Sequence, residues 1–256
     1  MRRLALVVVV AFLSLILYSH VSYGSYTVTN LNTTVTLLAN TSAEVTEVLT
    51  VQVSNQSVQQ YTTDRAALNL TLEEWQSLIG PTLTQHIINP EKGVFNFRFL
   101  PGALVKEANG GRAYLLMSYY VLNVTSISRL QPREFLYTFR PSTFNFEHGV
   151  SGEVLPSNTT LTIVLPSGSS ITSIYPIPDA PASGITNNYA NVSRASWFFG
   201  EPLSKFELTF TITESLQTEV LKFFSGVYAY LGIFSFIIIA LFILLFIIYA
   251  YVKASR

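Results

Sequence analysis

Three histidines, two aspartates and no cysteine narrow the chemistry open to this chain of 256 residues. Without cysteine there is no thiolate nucleophile, no thiolate metal ligand and no disulfide. His20 lies in an apolar N-terminal stretch, which leaves His86 and His148 as candidates for proton transfer or metal binding. The neighbouring Glu147 and His148, with Asp64 or Asp179 as a distant helper, match no metal-ligand spacing. They read as a surface pair. The stretch HGVSG, 148–152, lacks the order G-x-S-x-G and the strand-turn-helix setting of a nucleophile elbow. Glu73 and Glu74 fit the first turn of a helix, where the dipole favours carboxylates, better than acid–base work. No pair of carboxylates stands out for glycoside hydrolysis. The sequence therefore offers no catalytic, cofactor-binding or metal-binding residue, and an enzyme is not expected.

Two other residue sets bear on function. Trp197-Phe198-Phe199-Gly200 is an aromatic cluster that reads either as a plug in the core or as a contact surface for a ligand or glycan. Seven Asn-x-Ser/Thr sequons stand at Asn32, Asn40, Asn55, Asn69, Asn123, Asn158 and Asn191. About a fifth of the chain is Ser or Thr and 14 residues are Asn, so chance accounts for about three sequons. The excess points to an N-glycosylated outer surface.

The two ends imply a topology that agrees with the sequons. Arg2 and Arg3, the apolar run Leu4 to Leu17 and the small-x-small site Ser22-Tyr23-Gly24 predict a signal peptide over 1–24. From Phe223 to Val252 no residue is charged, which predicts a transmembrane helix over 227–252 after a juxtamembrane helix over 214–226. Tyr228 and Tyr230 flank one side of it and Tyr249 and Tyr251 the other, as interfacial aromatic belts. Lys253 and Arg256 then place the tail 253–256 in the cytoplasm by the positive-inside rule. The expected protein is a single-pass cell-membrane protein whose N-terminal part lies outside. Wound as one helix, Ser225, Ala229, Gly232, Ser235, Ala240 and Ala250 share an arc of about 140°. Such a face is suited to packing against another membrane helix, from a different subunit or a second copy.

The formal charge of zero hides an asymmetry. With Arg2, Arg3, Lys222, Lys253 and Arg256 set aside, ten basic residues face fifteen acidic ones, a net of −5 for the outer part. That excludes the electrostatic footprint of a nucleic-acid partner.

The elements of the outer part read mostly as strands. Phe206, Leu208, Phe210 and Ile212 alternate with polar residues, as do Phe95, Phe97 and Phe99, then Phe135, Tyr137 and Phe139, then Leu161, Ile163 and Leu165. Tyr26 to Leu38 and Val45 to Val53 are two more strands. One helix is expected after Thr71, where Thr71-Leu-Glu-Glu74 has capping-box spacing and Leu72, Trp75, Leu78 and Ile79 follow at helical intervals until Gly80-Pro81. The fold class is thus mostly β, an antiparallel sandwich, either one large unit or two tandem halves over 25–128 and 129–213.

The paired strands TVTLLANTSAEVTEVLTVQV, with Val45-Thr46-Glu47, and the later TTLTIVLPSGSSITSIYPIPDAP with SKFELTFTIT resemble archaeal cell-surface proteins of unassigned function. Those carry a signal peptide, β-sandwich domains and a C-terminal membrane helix. The layout is also distantly similar to ribophorin-type accessory subunits of oligosaccharyltransferase. The resemblance implies a non-enzymatic surface glycoprotein that serves as an accessory or anchoring subunit of a membrane or envelope complex. It brings no catalytic residues. The alternative is an extracellular ligand- or glycan-binding module, and an extracytoplasmic hydrolase is the third reading.

Overall fold

The computed structural model describes residues 26–67, 71–149, 152–180, 192–232 and 234–254. The expected signal peptide, Asn69, Asn191 and Arg256 lie outside these. The described chain is mostly β, as the alternating patterns require. The larger sheet runs in the order β12 (Arg194–Trp197), β10 (Thr159–Val164), β1 (Tyr26–Leu37), β2 (Ala43–Ser54), β5 (Gly110–Val121) and β3 (Phe95–Pro101), with β4 (Val105–Glu107) also on β5. The smaller has the order β11 (Ser169–Tyr175), β13 (Glu207–Thr213), β7 (Glu134–Phe139) and β6 (Thr125–Gln131). A two-stranded ribbon pairs β8 (His148–Gly149) with β9 (Gly152–Glu153). Pairing is antiparallel with one exception: β1 runs parallel to β10, with Leu31 beside Thr159 and Val35 beside Ile163.

Both sheets feed one core. Val45, Leu49, Val51 and Val53 of β2, Leu115 and Met117 of β5, and Leu161 and Ile163 of β10 are fully buried in the same cluster as Phe139, Leu208 and Phe210 of the smaller sheet. Phe206 joins the sheets, its ring centroid 5.0 Å from Trp197 and 5.4 Å from Phe139. A core shared by two sheets is what a sandwich has. Strands from both sides of residue 128 lie in the larger sheet, and the boundary at 128/129 falls inside β6. β6 is an edge strand, exposed from Ile127 to Gln131, where polar residues are the norm.

Two helices pack near the edge. α1 (Val58–Ala66) escaped the sequence reading because its residues are mostly polar; Tyr61 is fully buried and donates to the Gly102 carbonyl at 2.9 Å. α2 (Leu72–Ile79) is the expected helix, with the capping box formed: the Glu74 amide donates to Thr71 Oγ1 at 3.3 Å, and the Thr71 amide to Glu74 Oε2 at 2.6 Å. Gly80, at φ 107, stops it. β3 departs from expectation. Phe95 is 42 % exposed and Phe97 and Phe99 are half-buried, because the register shifts between Phe95 and Arg98 where Asn96 takes φ 52.

After β13 the chain enters α3 (Leu216–Leu231), capped by Ser215, and then α4 (Phe234–Ala254). Arg133 in the β6–β7 turn holds this junction, donating from Nε and Nη2 to the Glu214 carbonyl at 2.9 and 2.7 Å. The apolar C-terminal run is divided rather than continuous, since Gly232 ends α3 at φ 56 and ψ −136. Among the described residues no helix is long and apolar enough to cross a membrane.

Candidate functional site

Alternation in β2 places Ala43, Val45, Glu47, Leu49, Val51 and Val53 on the core face. Glu47 is therefore a carboxylate at a core position, and it is fully buried. A buried carboxylate is costly unless donors surround it. Its cross-strand neighbours are Thr33 of β1 and Met117 of β5, and the donors come from elsewhere. The His86 amide donates to Glu47 Oε1 at 2.8 Å, the Tyr119 hydroxyl donates to the same oxygen, and His86 Nδ1 lies 2.7 Å from Oε2. Tyr119 sits two residues beyond Met117, on the same face of β5. Its hydroxyl also accepts from the Ile87 amide at 3.3 Å. Burial, reinforced by the neighbouring Glu47 carboxylate, pushes its pKa well above the ordinary value.

His86 lies on the irregular segment between α2 and β3. Leu83 and Ile87, both fully buried, anchor that segment, and the Ile88 amide donates to Thr143 O and the Asn145 amide to His86 O, each at 2.8 Å. The imidazole stacks on Phe146 with centroids 5.1 Å apart. Because Nδ1 faces the Glu47 carboxylate, Nε2 lies on the opposite side of the ring. Nε2 has no partner among the described residues, and the side chain keeps 7 % exposure.

His86 also lines a cavity of about 390 Å³ bounded by the first half of β1, the segment 81–86, Asn145 to Glu147, and the turn Pro156 to Thr159. A second depression of about 370 Å³ adjoins it across Glu147, Pro156 and Ser157, and reaches His148 and Phe199. Beside it Glu153 pairs with His148 across the ribbon. Burial raises the Glu153 carboxyl above its usual range and His148 opposes that rise. Among the described residues no three of His, Asp and Glu gather to hold a metal.

The residues singled out by sequence fall apart from this site. Glu147 and His148 are exposed. Trp197 is fully buried and donates from Nε1 to the Pro176 carbonyl at 2.9 Å, so it is a plug and not a contact surface; Phe198 and Phe199 beside it are 43 % and 67 % exposed. Asn32, Asn40, Asn55 and Asn158 are exposed and Asn123 is half-buried. Asn40 Oδ1 accepts from the amide and hydroxyl of Ser42, its own sequon serine. Ser225 and Ala229 lie in α3, and Ser235, Ala240 and Ala250 within α4, with Gly232 at the break between them. The shared arc assumed one unbroken helix and does not carry through Gly232. Sequence reasoning missed Glu47 although its signal was present: a glutamate at core parity between Val45 and Leu49 demands buried partners. No protein-family model matches the chain, and no curated protein matches it significantly.

Proposed function

We propose that this chain is a non-enzymatic single-pass surface glycoprotein, an accessory or anchoring subunit of a membrane or cell-envelope complex. Its β domain faces outward, α4 sits in the bilayer and the last residues face the cytoplasm. The described residues by themselves meet no spanning criterion, so the membrane reading starts from the full sequence and its uncharged run from Phe223 to Val252. One observation carries it. Leu241, Phe242, Ile243, Leu244, Leu245, Phe246, Ile247 and Ile248 are each at least 50 % exposed. Eight consecutive residues at about 100° per step cover every side of a helix, and a helix apolar all round is at home only in protein or lipid. Left in water, the run would forgo roughly 10–20 kcal/mol of burial. The uncharged run from Phe223 to Val252, 30 residues, exceeds the roughly 20 that a helix needs to cross a hydrocarbon core.

The test is extraction of native membranes with alkaline carbonate. The full chain stays with the lipid, whereas a chain ending at Thr213 is released; release of both sinks the anchor. The subunit role is read by purification in mild detergent, where recovery of the chain alone would refute it. An intact mass equal to the bare polypeptide from residue 25 would remove the glycans.

A further inference from the structure

The Glu47–His86–Tyr119 cluster contains more than a loop staple requires. The His86 amide and the Tyr119 hydroxyl already tie the segment 83–88 to β2 through Glu47 Oε1. An apolar side chain at position 86 would pack on Phe146 as well. Instead the position holds an imidazole, nine-tenths buried, which Glu47 holds through Nδ1 and which lines the cavity, with Nε2 unpartnered among the described residues. The walls around it are rich in hydroxyls and amides: Thr29, Thr82, Thr84 and Thr159, with Asn30 and Asn145. They carry one carboxylate, Glu147, and no lysine or arginine, so an anionic ligand would find no counter-charge. The volume of about 390 Å³ lies within the range of small-molecule sites. The adjoining depression adds an exposed aromatic face, Phe199.

From these features we infer that the cavity binds a neutral polyhydroxylated ligand, a saccharide, with His86 Nε2 hydrogen-bonded to one of its hydroxyls. The site is independent of the membrane reading and stands even if α4 proves soluble. A saccharide can reach it from two sources. One is solvent or a neighbouring envelope glycan; the other is a glycan on Asn158, which lines the same cavity.

Ligand-observed NMR on the full chain in detergent, produced in a host that does not glycosylate, tests the site with glucose, galactose, mannose and N-acetylglucosamine, and with glucose 6-phosphate as the charged control. At least one neutral sugar receives saturation from the protein and the phosphate does not. His86→Asn keeps a donor on the Glu47 side and removes Nε2, so affinity drops roughly tenfold. Ser157→Trp, at an exposed position on the rim, abolishes binding by filling the mouth without touching the staple. Glycosylated chain separates the sources: if free sugar binds only after Thr160→Val removes the Asn158 sequon, the natural occupant is the chain's own glycan, and if it binds regardless, the ligand is external. Absence of binding by every neutral sugar, equal binding of glucose 6-phosphate, or wild-type binding by Ser157→Trp overturns the inference.

Discussion

Glu47 shows how one residue governs a stretch of irregular chain. Its replacement by alanine leaves the His86 amide, the imidazole and the Tyr119 hydroxyl without their acceptor in a dry core. We expect Glu47→Ala to cost about 3–5 kcal/mol in urea unfolding, and Tyr119→Phe about 1–2 kcal/mol, since the carboxylate keeps its His86 donors and only the hydroxyl's own bonds, to Glu47 and from the Ile87 amide, are lost. Equal effects would mean that the carboxylate is not the hub. Buried tyrosines also set the response to alkali. Burial raises Tyr61 to about 12, with Arg65 opposing, and burial and Glu47 raise Tyr119 well above the ordinary value. Each keeps its proton in the folded chain after the unfolded chain has begun to lose it near pH 10.0. Stability is therefore unaffected below that pH and declines above it, by roughly 1.4 kcal/mol per pH unit for each tyrosine. For Tyr61 the decline continues to about pH 12. Unfolding free energies of wild type, Tyr61→Phe and Tyr119→Phe across that range check the sign, and slopes that do not change in the variants would refute it.

Among the elements, legibility followed the hydrophobic pattern. β2, β7, β10 and β13 alternate, with exceptions such as Glu47 in β2 and Leu136 in β7, and were readable because each buries one face. α2 was readable from its cap, and Thr71→Ala is expected to lower stability by about 1 kcal/mol while Thr71→Ser has little effect. A calorimetric scan in which both variants behave alike would separate the helix from its cap. α1 was unreadable, because one tyrosine and eight other residues, mostly polar, carry no period. β3 misled in the opposite way: its phenylalanines alternate, but a shifted register at an edge leaves them half in solvent. The turn into β5 carries the sharpest backbone demand. Gly110 takes φ +139, and a Cβ there would lie 2.1 Å from the Val53 carbonyl oxygen. Gly110→Ala therefore should disrupt pairing of β2 with β5, seen as a loss of near-ultraviolet dichroism; a fully native spectrum would contradict this.

For the whole molecule, alternation identifies strands but not their neighbours. The parallel pair β1–β10 had no signature, and neither did the convergence of Glu47, His86 and Tyr119, which lie 39 and 33 residues apart. Because that pair and the Phe206 cluster tie early and late strands into one core, the β domain should unfold in a single cooperative step. Full chain in detergent, followed by near- and far-ultraviolet dichroism, will give coincident transitions; two separate midpoints would restore the division into tandem halves. The junction at Arg133 and Glu214 couples this domain to α3, which Gly232 ends before α4 begins.

The parallel pairing of β1 with β10 also has a consequence in time. Leu31 leaves the ribosome 128 residues before its neighbour Thr159, an interval of roughly 6–25 s at ordinary rates of synthesis. β2, and later β5, can dock during that wait, but the other edge of β1 stays open as a template for any passing strand. The residues presented there, Asn30, Asn32, Thr34 and Thr36 on the outer face of β1, are polar rather than apolar. A nascent chain stalled before β10 emerges would carry a partly built sheet with β1 as an edge that the finished fold covers, and its solubility would depend on those four side chains.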